Sequence, residues 1–187
     1  RRASRASCDQ SRTCAEDRAG TVFRLAAART FAAGIPFRRI RVLGVTAFSL
    51  PIVPRYAEVD QQGVVFNAHY LTWFDEACTG LLAHLGVAYP DLMSAGYDFQ
   101  VVHSEIDFQS PVRWRDEVRV TAECTRVGST SFTIGFGVCS KAAGGREGTE
   151  RVAVRGLNVY VVVSTEDWSK RPVPDGLREA LSHLATS

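Results

Sequence analysis

The chain has 187 residues, of which 45% are hydrophobic and 22% are charged, and its formal net charge is +2. These values are ordinary for one globular domain with a hydrophobic core. No apolar run approaches the roughly 20 residues that a helix needs to cross a bilayer, so no membrane-spanning segment is predicted.

The first part of the chain differs in composition from the rest. Residues 1–50 carry ten arginines against three acidic residues, whereas residues 51–187 carry 12 Lys and Arg against 17 acidic residues. We expect residues 1–45 to be a basic, disordered extension and residues 46–187 to form the domain. An Arg-rich, Ser-containing and acid-poor segment is also typical of an organelle-targeting peptide. The segment lacks interleaved aromatic residues and a recognisable binding fold, so a nucleic-acid partner is not expected.

The cysteines indicate a reducing compartment. There are five, an odd number, and none forms a C-x-x-C pair. This pattern predicts neither a disulfide framework nor a zinc site. We therefore expect a cytoplasmic protein, with organelle targeting by the N-terminal extension as the alternative.

The domain opens with an extended segment, a turn and one long helix. FSLPIVPRYAEV contains two prolines, which suits an edge strand. The turn DQQG follows, and from Asn67 the apolar residues recur at helical spacing. Asn67 is the expected N-cap and Gly86 the expected C-terminal stop. This helix is apolar around much of its circumference, which predicts that other structure surrounds it.

Four strands are predicted after the helix. YPDLMSAG offers at most a short helical turn, YDFQVVHSEIDFQSPV is extended, and DEVRVTAECTRV, SFTIGFGVCS and RVAVRGLNVYVVVS follow, with PDGLREALSHLA as a weak last helix. The strands are predicted in hairpin succession and therefore antiparallel. The fold class is α+β, with an antiparallel sheet around one central helix. A single sheet leaves the helix's outer face and a sheet edge uncovered, which predicts a homodimer or homotetramer.

The stretch 60-DQQGVVFNAHYLTWFDEA-77 contains the candidate chemistry. A carboxylate at Asp60 could act as a nucleophile at a carbonyl group or take a proton from water. The backbone N–H groups of a helix that begins near Asn67 could stabilise the resulting oxyanion. Gly63 would let the chain turn so that both groups face one point.

The run from Asp60 through Gly63, Val64, Val65 and Phe66 to two helical aromatics, Tyr70 and Trp73, resembles the signature of the 4-hydroxybenzoyl-CoA thioesterase group of hotdog-fold acyl-CoA thioesterases. The resemblance extends over residues 50–165. It implies a hotdog fold and hydrolysis of acyl-CoA to a free acid and CoA, without a metal or a bound cofactor. It also implies that Asp60 is nucleophile or general base, and that the N–H at Asn67 polarises the thioester carbonyl.

The remaining expected contacts with substrate are apolar or cationic. Val64, Val65, Phe66, Tyr70 and Trp73 are candidates to contact the acyl group, although Tyr70 and Trp73 could equally be core residues. Arginine suits the phosphates of CoA, and the candidates near the strands are Arg113, Arg115, Arg126 and Arg155. Each could instead be an ordinary surface charge.

Other interpretations of these residues stay open. Asp60 could simply stabilise its turn. Asp75 and Glu76 on the helix are rival acids, and His69 could orient water or lie at a surface. The competing functions are a thioesterase acting on acyl carrier protein, a hotdog dehydratase, and a non-catalytic acyl-thioester-binding dimer. The nine-residue gap between Asp60 and His69 fits a dehydratase poorly.

Overall fold

The structure, a computed structural model, describes residues 48–142 and 150–185. The predicted extension, residues 1–45, lies outside the described residues and stays a prediction. Within the described part the elements are β1 (Phe48–Ile52), α1 (His69–His84), α2 (Tyr89–Ser94), β2 (Tyr97–Phe108), β3 (Glu117–Val127), β4 (Ser131–Lys141), β5 (Arg151–Ser164) and α3 (Asp175–Ala185), with a 3-10 turn (Tyr56–Glu58) after β1.

Five strands of the described chain form one antiparallel sheet in the order β1-β3-β4-β5-β2. The predicted antiparallel α+β architecture is confirmed. The prediction of four strands in hairpin succession is wrong for the first pair, because β2 pairs with β5 at one edge while β1 pairs with β3 at the other. Alternation of side chains shows which residues face the core, but it does not identify the neighbouring strand.

Helix α1 packs against the inner face of this sheet. Phe74 is fully buried and stacks on Phe136 of β4 with the ring centroids 4.5 Å apart. At Gly156 of β5, an added Cβ would lie 2.5 Å from the Phe74 ring. The glycine therefore permits the close approach of the helix to the sheet. Helix α3 adds Leu177 and Leu181 to the same core, and Val173, just before the helix, is buried with them.

The boundaries of α1 differ slightly from the prediction. The helix begins at His69, and its N-cap is Ala68, with φ −66° and ψ −27° and no side-chain cap. Asn67 is therefore not the N-cap, because the chain reaches the helix through a turn in which the His69 N–H donates to the Phe66 carbonyl (3.0 Å). At the other end Gly86 has φ +76°, the left-handed conformation of a glycine stop, as predicted.

Three further features of the described part bear on function. The described cysteines, Cys78, Cys124 and Cys139, are buried and unbridged. None of the described helices has the length and apolar character that a membrane crossing requires. In residues 48–142 and 150–185, no three His, Cys, Asp or Glu side chains are placed together to hold a metal ion.

Candidate active site

Asp60 begins the turn that leads towards α1. Its Oδ1 accepts hydrogen bonds from the backbone N–H groups of Gln62 (2.8 Å) and Val64 (3.4 Å). The Gly63 N–H donates to the Asp60 carbonyl (3.0 Å), and Gly63 has φ +73°, a conformation that favours glycine. One carboxylate oxygen of Asp60 therefore stabilises the turn, as the simpler interpretation predicts, and the group keeps a second oxygen, Oδ2.

The chain doubles back on itself after this turn. Val59 and Val65 form an antiparallel bridge, and the Phe66 N–H donates to the Glu58 carbonyl (2.8 Å). Asp60 is opposite Val64, which lies three residues before Asn67, so at most about 10 Å of chain separates its position from Asn67. That distance leaves room for a side chain, a carbonyl group and the hydrogen bond to a backbone donor.

The turn before α1 offers backbone donors. In the described part of the chain, the N–H groups of Asn67 and Ala68 donate to no backbone carbonyl. Both residues are exposed. They lie at the end of α1 where the helix dipole favours negative charge. The predicted backbone donor at Asn67 is therefore available, although the residue is not the helix cap.

Glu58 is a residue that the sequence analysis missed. Its side chain is 4% exposed and accepts hydrogen bonds from the Arg55 side chain (2.7 and 3.1 Å), the Arg55 N–H (2.8 Å) and Trp73 Nε1 (3.4 Å). Burial acts to raise the pKa of Glu58, but the bonds from Arg55 outweigh it and hold the pKa below its usual value. Glu58 thus links the Asp60 turn to α1. An acid three residues after an arginine in a loop gives no sequence signal for this role.

The predicted apolar contacts fall into two groups. Val65, Tyr70 and Trp73 are at most 4% exposed and belong to the core. Burial raises the pKa of Tyr70. Val64 is half-buried, and Phe66 is 49% exposed beside the first turn of α1. Among the five, Phe66 is the ring that a bound acyl group could most readily reach.

Phe108, at the end of β2, is a second exposed ring near the start of α1. It is 52% exposed and makes an edge contact with Tyr70, with the centroids 5.5 Å apart. Phe108 falls within a segment predicted to be extended, and the sequence predicts no functional role for it. Its position depends on β2 pairing with β5, which alternation alone does not predict.

The two arginines predicted to bind substrate lie in the connection between β2 and β3. Arg113 Nη1 donates to the Gly63 carbonyl (3.3 Å), so this side chain reaches the Asp60 turn. Arg115 is exposed, and its guanidinium lies 4.1 Å above the centre of the Trp114 ring. The other two candidates, Arg126 and Arg155, lie on β3 and β5.

The rival acids and the histidine have distinct surroundings. Asp75 and Glu76 are both exposed on α1, which fits a solvated helix face. His69 is half-buried, and its ring makes an edge contact with Phe66 at 6.2 Å. Asp60 is the carboxylate that lies in the turn before the helix N-terminus.

The candidate site is thus an acid-bearing turn before one long helix that packs against an antiparallel sheet. Residues 62–144 match the family model described as "Thioesterase superfamily", in agreement with the family that the sequence resembles. Asp60 lies two residues before the matched range. A 1,4-dihydroxy-2-naphthoyl-CoA thioesterase from Synechocystis has the same fold, at 20% identity and TM-score 0.64, covering 75% of this chain and 99% of that one. The expected hotdog fold is confirmed.

Individual relatives are similar over parts of the chain. YneP of Bacillus subtilis is 38% identical over 60 residues, 32% of this chain and 44% of YneP, so less than half of that relative is matched. The acyl-CoA thioester hydrolase YbgC of Escherichia coli is 28% identical over 90 residues, 48% of this chain and 67% of YbgC. A 1,4-dihydroxy-2-naphthoyl-CoA hydrolase of Thermosynechococcus vestitus is 28% identical over 123 residues, 65% of this chain and 80% of that protein. These relatives are named as thioesterases or hydrolases of CoA thioesters, which agrees with the expected class, a thioester hydrolase.

Proposed function

We propose that this protein hydrolyses acyl-CoA thioesters to a free acid and CoA, with Asp60 as the reacting carboxylate. The observation that carries the proposal is the Asp60 turn itself. Both turn hydrogen bonds go to Oδ1, so the carboxylate is held in place while Oδ2 serves the chemistry. The names of the similar proteins, which include an acyl-CoA thioester hydrolase, support the same reaction.

The reaction can follow either of two routes at this carboxylate. As a nucleophile, Oδ2 bonds to the thioester carbon, CoA leaves as the thiolate, and water then hydrolyses the mixed anhydride. As a general base, Oδ2 takes a proton from a water molecule that attacks the same carbon. Both routes end in the acid, the thiol and a regenerated carboxylate. Both also develop negative charge on the carbonyl oxygen.

The oxyanion is proposed to bind the N–H groups before α1. Asn67 and Ala68 supply these donors, and the positive end of the helix dipole adds to the stabilisation. The donors belong to the backbone, so the asparagine side chain is not required. Replacing Asn67 with Ala should therefore change kcat by less than about tenfold, whereas loss of a positioned donor typically costs 10²-fold or more.

Thiol release from a panel of acyl-CoA and acyl-carrier-protein substrates tests the proposal. Turnover of at least one acyl-CoA, and its loss in Asp60→Asn, is the expected result. Asn keeps an oxygen acceptor for the turn N–H groups, so the fold should be retained. A wild-type protein that binds acyl-CoA without releasing thiol would favour the non-catalytic alternative. Preference for the carrier-protein substrate would favour the other thioesterase.

We also propose a homodimer formed through the outer edge of β2. This edge strand has 12 residues, and Val101 and Val102 on it are 47% and 59% exposed. A long, exposed, apolar edge readily pairs with another strand. β1, at the opposite edge, has five residues and includes Pro51, so it is a poorer partner. Because β2 ends at Phe108 beside the first turn of α1, such a dimer would place the interface near the Asp60 turn.

The mass in solution tests the dimer. Wild-type protein at micromolar concentration should have twice the chain mass, or four times in a dimer of dimers. Val102→Lys should shift the mass towards one chain, because like charges would then meet across the edge. A wild-type mass of one chain would contradict the proposal.

The unbridged cysteines favour a reducing, cytoplasmic location, which stays a prediction.

A further inference from the structure

An exposed cluster of aromatic and cationic side chains lies beside the Asp60 turn. We define the Trp114 patch as Tyr56, Trp114 and Arg115. Tyr56 is 76% exposed, and its ring makes an edge contact with Trp114, which is 44% exposed, at 5.5 Å. The Arg115 guanidinium lies 4.1 Å from the centre of the same indole. Large aromatic side chains exposed together indicate a binding surface more often than chance exposure does.

The backbone of the patch is strained. Arg115 has φ +69°, a conformation that glycine adopts freely and that costs energy for any other residue. The chain thus has an arginine at a position where glycine would be easier to accommodate. A residue held in such a conformation is a reason to look for a function. In this conformation the guanidinium is stacked on Trp114 at the surface.

Arg113 connects the patch to the candidate active site. Its Nη1 contacts the Gly63 carbonyl (3.3 Å), and its backbone N–H donates to Asp116 Oδ2 (2.9 Å). Asp116 is buried and also accepts a hydrogen bond from Ser140 (3.2 Å), so this connection is firmly anchored to β4. The loop that carries Trp114 and Arg115 is thus joined to the Asp60 turn through Arg113. A ligand that reaches Asp60 with one end could contact the patch with the other.

We propose that the Trp114 patch binds the nucleotide end of the CoA thioester. This inference rests on the proposed acyl-CoA hydrolysis. The nucleotide carries a purine, which stacks on aromatic rings, and phosphates, which suit guanidinium groups. Trp114 and Tyr56 offer the rings, and Arg115 and Arg113 offer the cations. The pantetheine arm of CoA carries neither a ring nor a charge, so the patch would recognise the part of CoA that a carrier protein lacks.

The test compares two substrates with the same acyl group, acyl-CoA and acyl-pantetheine, which lacks the nucleotide. Trp114→Ala should raise KM for acyl-CoA about tenfold or more, within the range of one lost stacked base. The kcat for acyl-CoA, and kcat/KM for acyl-pantetheine, should stay within about twofold. Arg115→Gly should also raise KM for acyl-CoA, and its Tm should not fall, because glycine relieves the strain.

Trp168 provides the matched control. It is also exposed (64%) and also has a positive φ, +60°, but it lies after β5. Trp168→Ala should leave KM for both substrates unchanged. If Trp114→Ala affects acyl-CoA and acyl-pantetheine equally, the patch supports the active site structurally and the inference is wrong. If the variant affects neither of them but weakens turnover of an acyl carrier protein, the patch is a protein-docking surface and the inference is also wrong.

Direct binding separates this inference from the proposed function. Isothermal titration of wild type and Trp114→Ala with free CoA and with pantetheine requires no turnover. Weaker CoA binding in Trp114→Ala, with pantetheine unchanged, supports the patch even if the enzyme hydrolyses no acyl-CoA in the panel. Equal CoA binding by the two proteins overturns the inference, even if wild-type hydrolysis is fast.

Discussion

The two ends of α1 differ in chemistry. Before its N-terminal end lies the Asp60 turn, with a fixed carboxylate and exposed backbone amides. Beyond its C-terminal end lies a cavity of about 340 Å³, lined by Leu85, Val87, Leu92, Leu177 and six further residues that include Asp91. A cavity of this size is in the range of small-molecule sites. It nevertheless lies far from the proposed active site, since a helix of 16 residues is about 24 Å long.

The interior between the two ends is closed. Phe74, Ala77 and Leu81 of α1 lie between the two ends, have no solvent exposure and belong to the hydrophobic core. An acyl group attached at Asp60 would therefore bind near the N-terminal end. The proposed site is therefore assigned from its reactive groups and their arrangement, and not from the volume of a cavity.

Of the variants near the two ends of α1, Asp60→Asn is expected to have the largest effect on turnover. Asp60→Asn removes the negative charge and keeps an acceptor for the turn, so we expect a folded protein. The kcat should fall by about 10²–10⁴-fold, the usual loss for a positioned acid or base, and further if Asp60 is the nucleophile. KM should change less. Steady-state thiol release and a thermal melt measure both properties.

The rival acids serve as controls for this variant. Asp75→Asn and Glu76→Gln change exposed carboxylates on α1 and should stay within about tenfold of wild type. The reverse ranking, with Asp60→Asn near normal and either helix variant inactive, would contradict the assignment. If Asp60→Asn is unfolded, its loss of turnover would say nothing about catalysis. Asp60→Glu would then be the informative variant.

The second effect concerns acyl-chain length. Fatty or aromatic acyl groups should be turned over faster than acetyl, because each buried methylene contributes about 0.8 kcal/mol. We expect kcat/KM to rise at least tenfold from acetyl-CoA to a medium-chain acyl-CoA. Phe66→Ala, at the N-terminal end, should reduce this preference, whereas Leu92→Ala, in the distant cavity, should not. Equal turnover of the two substrates by wild type would contradict the prediction.

Sequence reasoning identified the acid and the glycine of the turn, because the turn requires both residue types. Gly63 has a positive φ, and Asp60 accepts the turn N–H groups. The apolar periodicity of α1 likewise predicted its burial. These features depend on neighbours in sequence, so sequence patterns report them.

Features that depend on distant contacts were not predictable in the same way. Pairing of β2 with β5, rather than with β3, joins strands more than 40 residues apart. Glu58 acquires its role through Trp73, 15 residues further along the chain. Tyr70 and Trp73 are core residues in this chain, and alternation or helical spacing cannot separate a core ring from a ring that lines a pocket.

The third effect is on stability at the N-terminal end. Glu58→Gln removes the charge that Arg55 and Trp73 contact, and it should lower the free energy of unfolding by about 1–3 kcal/mol. The folded pKa of Glu58 lies below its ordinary value, so its stabilisation is present above that ordinary value and is lost as the pH falls through the folded pKa. Urea unfolding across the acid range should show less loss of stability in the variant. Equal pH dependence in both proteins would show that Glu58 is not linked to folding.

The smallest effect is expected at the C-terminal end of α1, where two glycines line the cavity. An added Cβ would meet no atom within 4 Å at Gly86 or at Gly176, so leucine at either position would extend into open space. The two glycines differ in backbone conformation, because Gly86 has φ +76° whereas Gly176 does not have a positive φ. Gly176→Leu should leave kcat and KM within about twofold. It should raise Tm by about 2–4 °C, since replacing a helical glycine contributes up to about 1 kcal/mol.

Gly86→Leu is the matched control and should lower Tm, because leucine is strained at a positive φ. A tenfold loss of turnover in Gly176→Leu, with a normal melt, would show that the cavity takes part in the reaction and that the two ends of α1 act together.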